Sequence, residues 1–206
     1  GMGLTETSPT VFLTDLDHAI VKVGSVGKPA LHTEIRVVDE AGADVDTDAV
    51  GELWVRGPNV TPGYWERPEA NESSFTDGWL HTGDAARIDE DGYIYIVDRW
   101  KDMYISGGEN VYPAEVEQTL FHHDNVLDVA VIGVPDERWG EVGMAVVVPR
   151  DSRLFDGDQL LAFCEDKLAR YKIPKHVRTI DELPRNAAGK VLKRQLKEIV
   201  TSDRDR

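Results

Sequence analysis

Lysine directly after glycine is the first pattern in this sequence that could do chemistry. A phosphate-cradling loop needs Gly, four residues, Gly-Lys and then Ser or Thr. Gly189-Lys190 has Pro184 in the first position and Val191 in the last, while Gly27-Lys28 has Lys22 and Pro29 there, so both fail. His122-His123-Asp124 offers metal-ligand side chains, but neighbours on a helix point in different directions and a solvated helix end explains them. Asp89, Asp91 and Gly92 begin like a calcium loop. The twelfth position from Asp89 is Trp100 where Glu should stand, and Gly92 comes too early, so a hairpin turn explains them. Four segments remain: Gly3-Leu4-Thr5-Glu6, His81-Thr82-Gly83-Asp84, Asp98-Arg99-Trp100-Lys101-Asp102 and the run PRNAAGKV at 184–191. Each has a plain structural explanation alone: a capped turn, an Asp-containing loop, a charged linker, an exposed loop. Their order and spacing together are what carry information.

Such segments need elements to hold them. The chain has 206 residues, 41% of them hydrophobic, enough for one large domain or two small ones. Alternating runs at 33–39 and 51–56 stop at Glu40-Ala41-Gly42 and Gly57-Pro58 and read as strands. Asp89-Glu90-Asp91-Gly92 is a hairpin signal, with a strand over 93–98 after it. The second half changes character. Residues 113–121 have helical spacing, with Pro113 in the first turn and acidic residues at the positive end of the dipole. Strand-like runs follow at 126–134 and 142–149. The spacing predicts an amphipathic helix over 158–170, a short strand at 176–180, a last helix at 192–200 and a frayed tail at 201–206. The composition shift at 98–102 sets the expected boundary, with domains at 1–98 and 99–206 and an α+β fold class.

The formal net charge is −15, and a surface this acidic repels phosphate backbones, which excludes nucleic acid as the main partner. A small phosphate-bearing ligand is still allowed, because a site can be locally basic. Cys164 is the only cysteine, so no internal disulfide forms and a reducing compartment is the default. No apolar run approaches the roughly 20 residues that a membrane span needs. No signal pattern marks the N-terminus, and the reading is cytoplasmic. The sequence leaves a homo-oligomer open.

Taken in order, the segments resemble the adenylate-forming superfamily, and within it acyl-CoA synthetases of the fatty-acid and coumarate type. The resemblance is carried by GLTETSP (3–9), GELWVRGPNVTPGYW (51–65), DGWLHTGD (77–84), GYIYIVDRWKDMYISGGENVYPAEVE (92–117), IGVPDERWGE (132–141) and LPRNAAGKV (183–191). It implies that 1–98 is the β-barrel-like end of a large AMP-binding N-terminal domain. Residues 99–206 are then a small α+β C-terminal domain, a short sheet with helices on one side. It also implies an ATP-dependent ligase that adenylates a fatty or aromatic carboxylic acid, passes the acyl group to CoA, and releases AMP and pyrophosphate.

The same resemblance assigns roles. Thr5 meets the α-phosphate of ATP, and Glu6 holds Mg²⁺, a hard ion that prefers oxygen. Asp84 accepts from both ribose hydroxyls, with Arg99 beside it. Lys190 bridges the substrate carboxylate and the α-phosphate as a flexible point charge. Lys101 matches the hinge about which the C-terminal domain turns between half-reactions. Ser106, Gly107 and Gly108 line the approach of CoA, where paired glycines let backbone come close. Two features depart from the pattern. Met2 stands where the family usually has an aromatic residue, and the Ser/Thr/Gly-rich phosphate loop is not in this sequence, so the chain alone is expected to be inactive. The alternatives are an adenylation domain that loads a carrier protein, against which the SGGEN loop weighs, and a non-catalytic nucleotide- or CoA-binding fragment.

Overall fold

Alternating β-branched and aromatic residues, punctuated by Gly-Pro and Asp-Gly, make strands the main regular structure of the first half of the chain, with long loops between them. The computed structural model describes residues 1–202 and divides into two compact units, Gly1–Lys101 and Asp102–Arg206. In the first unit, β1 (Met2–Gly3), β2 (Thr10–Leu13) and β3 (Lys28–Pro29) form a small antiparallel sheet. The larger sheet comprises β4 (Glu34–Val38), β5 (Gly51–Arg56), β6 (Phe75–Thr76), β7 (Trp79–Ile88) and β8 (Ile94–Arg99), in the order β4-β5-β7-β6, with β8 also on β7. A seven-residue helix, α1 (Pro68–Ser74), precedes β6. Val11 and Phe12 of β2 share one core with Val37, Leu53, Val55, Ala86 and Ile94 of the larger sheet. The two sheets are open, and among the described residues they do not close into a barrel, a correction to the barrel-like lobe expected from the sequence. The α+β class holds.

The β7–β8 turn falls at Asp89–Gly92, as the Asp-Gly signal implies, with the Asp89 carboxylate accepting from the N–H groups of Asp91 and Tyr93. The long loop at 14–27 is tied to this turn by side chains. Lys22 Nζ lies 2.8 Å from Asp89 and 2.6 Å from Asp91, and Asp15 accepts from Tyr93 at 2.9 Å while its other oxygen pairs with His18 at 2.6 Å.

In the second unit, β9 (Tyr104–Ser106) and β10 (Glu109–Val111) make a hairpin that leads into α2 (Pro113–Phe121). The long hairpin of β11 (Val126–Asp136) and β12 (Gly140–Pro149) follows, then α3 (Gly157–Ala162), β13 (His176–Thr179) and α4 (Lys193–Ser202). The sheet order is β10-β9-β12-β11, with β13 parallel to β12. Val129, Val131, Ala145 and Val147 pack on one face with Val116 and Leu120 of α2 and Leu160 of α3. Ala130, Ile132, Val134, Met144 and Val146 pack on the other with Leu196 and Val200 of α4. Helices therefore cover both faces, not one. The near-continuous apolar runs of β11 and β12 are what burial on two sides requires. Among the described residues no helix is long and apolar enough to cross a membrane.

The helix expected over 158–170 ends at Ala162. Beyond it Lys167 Nζ donates to the Phe163 carbonyl at 2.7 Å, and backbone bonds from Cys164 N–H to the Leu161 carbonyl and from Leu168 N–H to the Cys164 carbonyl carry both side chains into the core as turns. The last helix runs through Ser202, past its expected end, and 203–206 lie outside the described residues. Gly133 and Gly143 pair across β11 and β12 and leave a slot filled by Tyr104. A Cβ on Gly143 would run into the Tyr104 hydroxyl, which is buried and makes no hydrogen bond among the described residues. Burial, and to a lesser degree Glu141, pushes that phenol well above its ordinary value.

Two outcomes are expected. Gly143→Ala destabilises the chain by about 1–3 kcal/mol, the usual range for overpacking, and adding Tyr104→Phe recovers part of the loss. Thermal melts decide, and equal melting of the single and double variants would dispose of the slot. In the first unit, burial raises the Asp89 carboxyl, but Lys22 and the Tyr93 N–H outweigh it and hold it at about 2, and His18 chiefly holds Asp15 at about 2. Carboxyls depressed in the fold stabilise it above the unfolded value and lose that effect as acid is added. Proteolysis of the 14–27 loop should stay flat down to about pH 4 and rise from there toward pH 2. A rise already at pH 6 would mean the loop is not held by these carboxylates.

Candidate functional site

Strand pairing sets the first constellation. Asp84 on β7 and Arg99 on β8 are direct cross-strand partners, and Arg99 Nη1 lies 2.7 Å from Asp84 Oδ1. Asp84 is 6% exposed, whereas its arginine partner is partly open to solvent. Thr82 organises the bend before it: its hydroxyl donates to the Leu53 carbonyl at 2.7 Å and accepts from the Asp84 N–H at 3.1 Å. Gly83 takes a left-handed φ of 70° there, and its N–H donates to Glu52. The HTGD segment is thus an irregular strand, not a loop.

Thr5 and Glu6 stand on a 3-10 turn, Thr5–Thr7, between β1 and β2. Buried Thr7 closes it, accepting from the Leu4 N–H at 3.0 Å and donating to the Pro9 carbonyl at 2.8 Å. The segment before α1 anchors the turn from outside. Thr61 N–H donates to the Glu6 carbonyl at 2.8 Å, and Tyr64 Oη donates to Glu6 Oε1 at 2.8 Å. Asn71 of α1 grips both backbone groups of Tyr64, at 2.6 and 3.0 Å. Burial first, and then the Glu6 carboxylate, raise the Tyr64 phenol, so it stays a donor. Tyr64 thus engages Oε1 of the Glu6 carboxylate. Among the described residues no group of three or more His, Cys, Asp or Glu could hold a metal unaided. A single carboxylate beside a hydroxyl fits an ion that arrives on phosphates, as Mg²⁺ commonly does.

The remaining residues lie at the end of the first unit and in the second. Lys101 is exposed on the 3-10 turn Trp100–Asp102 and is the last residue of the first unit. Gly107 and Gly108, with φ of 63° and 89°, make the two-residue β9–β10 turn. Gly107 N–H donates to the Trp139 carbonyl at 2.9 Å, and a Cβ on Gly107 would meet the indole at 2.7 Å. Trp139 sits at the β11–β12 turn, where Asp136 accepts from the N–H groups of Trp139 and Arg138, both at 2.9 Å. Those bonds, Trp139's first, hold the Asp136 carboxyl below its usual value. Beside the turn lies a cavity of about 500 Å³ lined by Ser106, Arg138, Trp139, Arg170, Tyr171 and Lys175. Three cations and two aromatic rings face it in a chain of net charge −15. Lys190 stands exposed on the loop between β13 and α4.

Comparison with known proteins follows this geometry. The AMP-binding enzyme family model matches residues 1–65, and the AMP-binding enzyme C-terminal domain matches residues 115–190. The chain is 51% identical over 197 residues to a feruloyl-CoA synthase of Amycolatopsis sp, covering 96% of this chain and 40% of that protein. It is 44% identical over 198 residues to a 2-succinylbenzoate–CoA ligase of Bacillus cereus, with the same coverage. The solved o-succinylbenzoate CoA synthetase of Bacillus subtilis, in complex with its acyl-adenylate intermediate, aligns with a TM-score of 0.86 at 42% identity, over 95% of this chain and 40% of that one. These matches define a class, the adenylate-forming enzymes. The chain belongs to the AMP-binding enzyme family, and its relatives are acyl-CoA synthetases. It spans about 40% of the length of the curated relatives it matches.

Tyr64, Asn71, Trp139, Arg170 and Lys175 carried no role in the sequence reading. Tyr64 and Trp139 lie inside the segments 51–65 and 132–141, but their partners, Glu6 and Gly107, are distant in sequence. Tyr64→Phe should cost about 1 kcal/mol, the net worth of a hydrogen bond, in urea denaturation of the chain. An unchanged midpoint would mean that the phenol does not hold Glu6.

Proposed function

We propose that this chain is the nucleotide- and CoA-handling part of an AMP-forming acid–CoA ligase. The observation that carries the reading is the 51% identity to a feruloyl-CoA synthase across 96% of the chain. On this reading ATP and a carboxylic acid react first, giving an acyl-adenylate and pyrophosphate, and the thiol of CoA then displaces AMP. Asp84 accepts from the ribose hydroxyls, with the Arg99 guanidinium 2.7 Å away. Thr5 donates to the α-phosphate. Glu6, oriented by Tyr64, is the residue that would hold Mg²⁺, which neutralises phosphate charge when bound. Lys190 draws carboxylate and α-phosphate together in the first step.

CoA brings three phosphates, an adenine and a narrow thiol arm. Arg138, Arg170 and Lys175 suit the phosphates, Trp139 and Tyr171 suit the flat base and the arm, and Gly107-Gly108 presents backbone without side chains. Residues 1–98 serve as the end of the AMP-binding domain and 99–206 as the C-terminal domain, which turns about Lys101 between the steps. The acid is fatty or aromatic, and the feruloyl and 2-succinylbenzoate relatives favour an aromatic one.

Lys190→Ala in the full-length ligase should lower adenylation by about 10²–10³-fold, the scale of a lost preorganised electrostatic contact. Thioester formation from supplied acyl-adenylate should persist. Equal damage to both half-reactions would make Lys190 structural. Pyrophosphate release by the isolated chain, with ATP, Mg²⁺ and a panel of acids, is expected to be negligible, and turnover at roughly 1 per second or faster would overturn that.

A further inference from the structure

The loop that bears Lys190 owes its order to two different kinds of contact. Asn186 closes it upon itself. Its side-chain oxygen accepts from the N–H groups of Ala188 at 3.0 Å and Lys190 at 2.9 Å. Its own N–H donates to the Lys190 carbonyl at 2.9 Å, and its carbonyl accepts from Gly189 at 2.9 Å. This ring fixes the local backbone but says nothing of where the loop stands on the sheet. Arg185 supplies that. Its guanidinium forks, with Nη1 donating to the Gly189 carbonyl at 2.6 Å and Nη2 to Asp128 Oδ2 at 2.5 Å. One rigid plane thus ties the residue next to Lys190 to strand β11. The other Asp128 oxygen accepts from the Val129 N–H at 3.0 Å, so the carboxylate cannot swing away with the arginine. On the far side, Lys193 at the start of α4 pairs with Glu117 of α2 at 2.8 Å, and Glu117 in turn accepts from the Val131 N–H at 2.7 Å.

Arg185 and Asp128 are 41% and 31% exposed, and pairs this open to water add little to stability. A planar fork bonded at both ends to fixed acceptors still restricts geometry. We propose that Arg185, held by Asp128, is a positioning residue that sets the placement of Lys190 for the adenylation step. The inference rests on the proposed role of Lys190. A lysine on four rotatable bonds finds two anions at once only if its backbone is fixed, and a displacement of about 1 Å can cost about 10²-fold in rate. Because the strut acts through Lys190, its effect belongs to the first half-reaction alone.

The test measures both half-reactions and the melting temperature in the full-length ligase. Arg185→Ala should lower adenylation by about 10²-fold, with thioester formation from supplied acyl-adenylate and the melting temperature nearly unchanged. Arg185→Lys should not rescue, since an ammonium cannot bridge both acceptors in one plane. Asp128→Asn, which keeps an acceptor oxygen but loses the charge, should fall between wild type and Arg185→Ala. Full adenylation in Arg185→Ala while Lys190→Ala abolishes it would overturn the inference. So would equal loss in both half-reactions, rescue by Arg185→Lys, or, should Arg185→Ala fail to fold, wild-type adenylation in Asp128→Asn. Full adenylation in Lys190→Ala would instead overturn the role on which the inference depends, and the inference with it.

Discussion

The β11–β12 hairpin is the element on which the second unit depends. Its two strands pair from Val126↔Pro149 to Asp136↔Gly140, and successive side chains enter two separate cores. A strand buried on both faces cannot slip by one residue without exchanging the cores, so its register is firmly set. Every feature of chemical interest in this unit is read off that register. Trp139 is at its turn, the glycine slot for Tyr104 is across its middle, and Asp128 is near its start. The Gly107-Gly108 turn and the Lys190 loop are thus both referred to one rigid hairpin.

The first unit uses a different device. There β7 is contacted along both edges by β5, β6 and β8, and the irregularities in its pairing bend it where Asp84 sits. Cross-strand pairing then delivers Arg99 opposite Asp84 with no loop involved. Glu6, by contrast, is on a short turn that has little stability of its own, and it is held by Thr61, Tyr64 and Asn71 from a separate segment. A strand positions its residue through its ladder; a turn has to borrow its position from neighbours.

That contrast explains what could be read from the sequence. The helix at 113–121 was legible to the residue, because Pro113 and the apolar spacing are local signals. So was the Asp89–Gly92 turn. The amphipathic run at 158–170 misled, because Cys164 and Leu168 reach the core from turns as well as from a helix. Helices were expected on one side of the second sheet; the unbroken apolar runs of β11 and β12 fit burial on both faces, but which helix covers which face needs the tertiary fold. Asp84, Arg99 and Lys190 were nameable only through resemblance to a family. Arg185–Asp128 and Tyr64–Glu6, each pair 57 or 58 residues apart, have no sequence signature. Such partners are created by register and chain path, not by spacing.

The turn at Gly107 has an evolutionary consequence. A side chain there must accept a left-handed backbone and must also displace an indole lying 2.7 Å from where its Cβ would be. The second obstacle is not removed by any change at position 107 itself. Drift at this site is therefore ordered in time: Trp139 has to swing aside or become smaller first, and then Asn or Asp, which tolerate that backbone, become the accessible replacements. Glu109 and Asn110, exposed on the neighbouring strand, are under no such constraint. Lineages that diverge here should vary first at 109 and 110, then at 139, and at 107 chiefly in descendants of a 139 variant.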